Sequence, residues 1–190
     1  MPFTPLKTLQ EKIPIQTIEQ AFSRFSCKRD MDIESFLKNR AIQFEELAKS
    51  RTYFFIDQSA AENREIEIWG FFSIAPQILH LPEGLSIQAR KELDGFSGKI
   101  HGEKISVLPV MLIGQIAKND QYENVITGKA LLAHALTVAQ SVHEMIGGRI
   151  VMVDVKSDAK GLIRFYEENG FVLISEDPET GLSQMIYMLC

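Results

Sequence analysis

Thr127, Gly128 and Lys129 are the residues whose types and spacing first suggest chemistry. They sit inside PVMLIGQIAKNDQYENVITGKALLAHAL, Pro109 to Leu136. Val110 to Ala117 is an apolar run, interrupted only by Gly114 and Gln115. The chain turns polar from Lys118 to Asn124, and from Gly128 onward Leu131, Leu132, Ala135, Leu136, Ala139 and Val142 recur at helical steps. The spacing predicts a buried strand, a short loop and a long helix. The first turn of such a helix leaves backbone N–H groups unpaired at the positive end of the helix dipole. That is an anion site, and glycine lets a phosphate come close to the backbone. The same pattern also describes an ordinary crossover with a tight turn at Gly128.

Other side chains offer acid–base chemistry. Glu67 and Asp154 are candidate general bases, although solvated or capping roles explain most Asp and Glu residues. His101 and His134 are candidates of the same kind, and His134, two positions after Leu132, reads as lying on the outer helix face. Trp69 alternates to the side opposite Ile68, where it could line a pocket or cover a sheet.

The elements that must position these groups follow from pattern. Met1 to Pro14 reads as a loose lead-in. Ile18, Phe22 and Phe25 favour a short helix over 15–25. Asp30 or Asp32 caps a helical stretch reaching about Ala48, with a break near Arg40. TYFFID, Thr52 to Asp57, reads as a strand, residues 58–64 as a hairpin turn, and Glu65 to Ala75 as the partner strand ended by Pro76. Gly70 within that strand suggests a bulge or a close backbone approach. Residues 77–108 read as a long connection with a short helix around Ile87 to Leu93. It is either a substrate-facing segment or a solvated insertion. Gly147-Gly148 stops the long helix. A strand over 149–155, a helix over 159–168 capped by Ser157 or Asp158, a strand over 171–175, a turn at 177–181 and a last strand over 183–189 complete an α/β order.

Composition sets the bounds. The chain has 190 residues, 45% of them hydrophobic and 24% charged, which suits one globular domain and excludes a disordered chain. The formal net charge of −5 supplies no global attraction for a polyanion, and the Lys and Arg residues are scattered among acids. Cys27 and Cys190 form no disulfide framework and match no zinc spacing, so no metal is expected. No leader and no membrane-spanning run is evident, which makes the cytoplasm the expected location.

Taken in order, WGFFSIAP, LPVMLIGQIAKN, TGKALLAHAL and FYEENGF resemble the GCN5-related N-acetyltransferase (GNAT) family over Thr52 to Leu189. FYEENGF, Phe165 to Phe171, is the most specific piece. The segment FSCKRDMDIESFLKNRAIQFEELAKSRTYFFID is similar to the start of the toxin-like branch. The resemblance implies one acetyltransferase-like domain over 1–190, with 1–50 as an N-terminal segment and 51–190 as the acyl-CoA-binding core. It implies a mixed, mostly antiparallel twisted sheet flanked by helices, with a splayed central strand pair, and acetyl-CoA as co-substrate. The pantetheine arm would meet the strand backbone at about Gln115, Ile116 and Ala117. The pyrophosphate would rest on the N–H groups of Val125, Ile126, Thr127, Gly128 and Lys129. Tyr166 would protonate the departing thiolate.

The loop departs from the family's Gln/Arg-x-x-Gly-x-Gly/Ala signature. Aligned on Gly128, the chain has Glu123-Asn-Val-Ile126-Thr-Gly128. An acidic residue stands first, and Ile126 replaces a glycine. Asn124 and Lys129 could compensate through side-chain contacts. Three functional readings follow: an N-acetyltransferase acting on a small-molecule or peptide amine; a toxin-type enzyme acetylating aminoacyl-tRNA, which the missing basic patch opposes; or a weak CoA-binding sensor domain. The last strand, SQMIYML, has an edge that could pair two copies into a homodimer.

Overall fold

The computed structural model describes residues 3–57, 66–122 and 124–189. The hairpin turn expected over 58–64, Glu123 and Cys190 lie outside them. Among the described residues no helix is long and apolar enough to cross a membrane.

The chain forms two compact units, Met1–Ala75 with Ile113–Thr137, and Pro76–Leu112 with Val138–Cys190. Seven strands make one sheet in the order Thr4–Pro5 (β1), Arg51–Ile56 (β2), Ile68–His80 (β3), Val107–Lys118 (β6), Ile150–Lys156 (β7), Leu182–Met188 (β9) and Val172–Asp177 (β8), and Lys99–Ile100 (β4) and Glu103–Lys104 (β5) form a separate two-stranded ribbon. The sheet is mixed and mostly antiparallel, as the resemblance implies. Among the described residues β6 (Val107–Lys118) pairs in parallel with β7 (Ile150–Lys156) at Met111↔Val151 and Leu112↔Met152.

In the first unit, β1 (Thr4–Pro5), β2 (Arg51–Ile56) and β3 (Ile68–His80) run antiparallel. Four helices precede β2: α1 (Leu6–Lys12), α2 (Ile15–Arg24), α3 (Met31–Asn39) and α4 (Ala41–Glu46). The expected loose lead-in is therefore mostly structured: Leu6 and Leu9 of α1 are buried in the core. Helix α2 buries Ile18, Ala21 and Phe22; Ile18 and Phe22 are among the helical steps read in the sequence. They join Phe25, Phe36, Leu37, Phe54, Ile68 and Phe71 in one cluster. Asp30 caps α3 by accepting the Asp32 N–H at 3.0 Å, and Arg40 breaks α3 from α4.

Alternation along β2 creates a second apolar face. Tyr53 stacks on Phe72 with 5.1 Å between centroids, and Phe3 packs edge-on against Tyr53 and Phe72. His134 belongs to this face, 5.0 Å from Phe55 and 5.7 Å from Phe3, and not to an outer helix face. His134 stands three residues after Leu131, which is 1% exposed, so the two share the inward face of the helix.

The β2–β3 register slips between Phe55 and Ile56, opposite Gly70. A Cβ at Gly70 would lie 3.0 Å from the Ala117 carbonyl and 3.2 Å from both Leu131 methyls. Both meanings offered for that glycine are present. Strand β3 does not stop at Pro76. Its ladder with β2 ends at Arg51↔Ile74, so the missing N–H of Pro76 breaks no bond on that side.

In the second unit, β9 (Leu182–Met188) pairs antiparallel with both β7 and β8 (Val172–Asp177). The exposed sheet edge is therefore β8, not the last strand, because the chain returns inward after the Asp177 turn. Leu79, Leu81, Ile105, Val110, Ile150, Met152 and Ile186 make this unit's core. The connection after β3 holds α5 (Ile87–Asp94) and the ribbon of β4 (Lys99–Ile100) and β5 (Glu103–Lys104). Arg90, only 3% exposed, organises it by donating to the carbonyls of Pro82, Glu83, Leu85 and Ile105.

Candidate functional site

The expected anion-binding turn is built from the end of β6 and the start of α6 (Gly128–Ile146). Asn119, 3% exposed, is its anchor. Its side chain donates to the Ile68 carbonyl at 2.8 Å and accepts from the N–H groups of Ser26 and Gln121. Asp120 adds two more ties, accepting from Lys28 N–H at 2.8 Å and Ser26 Oγ at 3.2 Å. The loop is thereby fixed to the segment after α2. Sequence reasoning missed Asn119, whose partners lie 51 and 93 residues away in the chain. Its only local signal was the Asn-Asp pair closing a strand.

Thr127 is the N-cap of α6. Its carbonyl accepts from Leu131 N–H at 3.1 Å, and its hydroxyl accepts from Ala130 N–H at 3.1 Å. The N–H groups of Gly128 and Lys129 have no hydrogen-bond acceptor among the described residues, and Lys129 is exposed. Val125 differs from expectation, because its N–H is already bonded to the Tyr122 carbonyl at 3.0 Å. Ile126 is 5% exposed and contributes to packing. Asn124 is exposed, and Glu123 lies outside the described residues.

Farther back on β6, Gln115 and Ile116 are half-buried and Ala117 is buried. The Gln115 side-chain oxygen is fully buried and has no hydrogen-bond partner among the described residues. A buried acceptor without a donor is costly unless something else supplies one. These residues fit an acyl-CoA: Gln115 leaves an acceptor unmet, and the first turn of α6 offers two amides and a lysine to a diphosphate. The amide donors are fewer than the full run from Val125 to Lys129.

Tyr166 belongs to the second unit, on α7 (Lys160–Glu168). The helix is not capped by Ser157 or Asp158. Ala159 is its N-cap, and the Ser157 hydroxyl instead meets that of Ser183 at 2.8 Å. Tyr166 is 3% exposed, between Phe165 at 5.4 Å and Phe171 at 5.2 Å. Its carbonyl accepts from Asn169 and Phe171 N–H groups, each at 3.0 Å, closing FYEENGF into a compact turn. Gly170 supplies a φ of +88°, and a Cβ there would press on the Tyr187 ring at 3.2 Å. Burial pushes the Tyr166 phenol well above its ordinary pKa, because the phenolate would lose its hydration. The group is therefore a protonated phenol at neutral pH, and no described residue accepts its proton.

The candidate bases are otherwise engaged. Glu67 accepts a hydrogen bond from Tyr122, whose phenol is pushed up mainly by burial and then by that carboxylate. Asp154 is exposed and accepts from Gln184 Nε2 at 3.3 Å. His101 sits at the tip of the β4–β5 ribbon with φ +51°. Trp69 is half-buried, and its carbonyl accepts the Asn119 N–H at 2.9 Å.

No family model and no curated protein matches the sequence. Solved structures do. The AtaT toxin complexed with acetyl-methionyl-tRNAfMet is 16% identical, with a TM-score of 0.67 over 88% of this chain and 86% of that one. A tyrosine-to-phenylalanine variant of KacT is 15% identical, with a TM-score of 0.67 over 99% and 95%. AtaTR bound with acetyl-CoA is 15% identical, with a TM-score of 0.66 over 98% and 92%. Identities this low establish the fold, and it is the GNAT-like fold that the sequence motifs imply.

Proposed function

We propose, starting from that likeness of fold, that residues 1–190 act as one acetyl-CoA-dependent N-acetyltransferase with a primary amine as acceptor. The observation that carries this reading is Tyr166: a buried, protonated phenol with no acceptor among the described residues, inside FYEENGF. AtaT and KacT were both solved as tyrosine-to-phenylalanine variants, and AtaTR with acetyl-CoA, which supports the reading.

In this mechanism acetyl-CoA supplies a thioester. The acceptor nitrogen attacks its carbonyl carbon, a C–N bond forms, and the C–S bond breaks. A β6 amide among Gln115, Ile116 and Ala117 stabilises the oxyanion. Tyr166 would give its proton to the leaving thiolate, and the proton shed by the acceptor nitrogen would pass to solvent, from which the phenol is reprotonated. The diphosphate would be held by the Gly128 and Lys129 N–H groups, with Asn124 and the Lys129 ammonium as side-chain contacts.

A second reading narrows the acceptor to the amine of an aminoacyl-tRNA. Its support is the AtaT complex, which holds acetyl-methionyl-tRNAfMet. The test is a thermal titration with acetyl-CoA followed by transfer assays on free amines, peptides and charged tRNA. Specific binding should raise the melting temperature with ligand concentration. A melting temperature that ignores acetyl-CoA would remove the enzyme reading. Binding without transfer to any acceptor would leave the sensor reading.

A further inference from the structure

The inserted segment between β3 and β6 carries a charge arrangement that folding does not explain. Its ribbon turns at His101 and Gly102, both with positive φ, the two-residue hairpin of type I′. That register places Lys99 directly opposite Lys104, and Ile100 opposite Glu103. Directly opposed side chains share one face with Cβ atoms about 4.5–5.5 Å apart, and like charges there are destabilising. Neither lysine has an acidic partner among the described residues. Glu103 projects to the other face of the ribbon with Ile100.

A third cation stands nearby in the same segment's packing. The Arg149 guanidinium lies against Gly95, where any side chain would collide with it. The next residue, Phe96, is 84% exposed. The backbone holding it is not loose. Arg90 grips four carbonyls beneath it, Asp94 Oδ2 accepts the N–H of Ser97 at 3.0 Å, and Ser97 Oγ donates to the Lys99 carbonyl at 2.6 Å. Of the nearby acids, Asp94 is occupied in this turn and Glu92 accepts from Gln88 at 2.9 Å. An exposed aromatic ring on a stiff backbone, in a segment whose cations have no acidic partner among the described residues, is a combination that binds single-stranded nucleic acid: phosphates meet the cations and a base stacks on the ring.

We propose that Phe96, Lys99, Lys104 and Arg149 form a docking surface for a single-stranded RNA end. The inference deepens the aminoacyl-tRNA reading above and rests on it for biological meaning, but its test does not use acetyl transfer. Fluorescence anisotropy would follow a labelled single-stranded RNA oligonucleotide and unfractionated deacylated tRNA, over a salt series, with the full chain. Phe96→Ala should weaken binding roughly fivefold or more. The double variant Lys99→Gln/Lys104→Gln should lower the log–log salt slope by about 1.4, and Lys99→Arg/Lys104→Arg should retain it. All four positions are exposed, so folding should survive, and an unchanged acetyl-CoA thermal shift would verify it. Wild-type protein that binds no RNA, or variants with wild-type affinity and slope, would overturn the proposal. So would an equal loss of binding to phosphatidylserine vesicles, which would mark a membrane surface instead. Failure of acetyl-CoA binding with intact RNA binding would sink only the enzyme reading.

Discussion

Phe171 holds Tyr166 twice: ring against ring at 5.2 Å, and N–H to carbonyl at 3.0 Å. Neither contact uses the phenolic oxygen. Tyr166→Phe should therefore keep the packing and remove only the proton donor. Acetyl transfer should fall about 10²–10⁴-fold, with the melting temperature at neutral pH and the acetyl-CoA thermal shift unchanged. Steady-state transfer assays check the first, and unaltered turnover would end the proton-donor role.

The same residue predicts an alkaline effect with a definite sign. Its folded-state pKa is raised by burial, so the folded protein holds this proton more tightly than the unfolded chain. The stabilisation is full below the unfolded value near 10 and is lost as pH rises toward the folded value. Between pH 9 and 11 the wild type should lose melting temperature faster than Tyr166→Phe. Parallel melting curves over that range would refute the assignment. Tyr53 and Tyr122, which also have raised pKa values, are common to both proteins and cancel.

Gly70 offers a packing test. A methyl group there must displace either the Ala117 backbone or Leu131. Gly70→Ala should cost about 1–3 kcal/mol, the usual range for overpacking. Because the displaced carbonyl belongs to the Gln115–Ala117 stretch, acetyl-CoA affinity should fall as well. Denaturation and a binding titration on the same sample test both, and a neutral substitution would mean that the strand yields freely.

Much of this was readable in the chain because the signals were local. Gly70 sits in an otherwise apolar β pattern, so its absent side chain advertised a bulge and a close neighbour. The Arg40 break and the Gly147-Gly148 stop are one-residue and two-residue signals. What could not be read depended on partners distant in sequence. Pro76 continues a strand because β2 happens to end first. His134 meets Phe3 and Phe55, partners far from it in the chain. Asn119 looks like loop polarity until Ile68 and Ser26 are beside it. The edge strand was misassigned because β9 folds back between β7 and β8, an order that no property of SQMIYML encodes. The loop offers fewer amides than expected because the Val125 N–H closes on the Tyr122 carbonyl, a bond no residue type announced.

Arg90 should be the keystone of the insertion. Arg90→Met would keep a similar apolar stem but leave the carbonyls of Pro82, Glu83, Leu85 and Ile105 without their donor. Leaving buried acceptors unmet should cost about 2 kcal/mol. The loss should be local: amide exchange should quicken over residues 82–106 while the first unit stays protected. Uniform exchange across the chain would show that the segment does not open independently.

Thr127 and Gly128 separate helix stability from anion binding. Thr127→Ala removes the hydroxyl that takes the Ala130 N–H and should cost about 1 kcal/mol. It leaves the Gly128 and Lys129 amides in place, so acetyl-CoA affinity should change little once the protein is folded. Gly128→Val keeps the Thr127 cap but crowds the approach to those amides with a branched side chain, so affinity should drop while stability falls only modestly. Isothermal calorimetry on both variants gives the comparison. Equal affinity for Gly128→Val and wild type would mean that the diphosphate does not rest on this turn, whatever Tyr166 does.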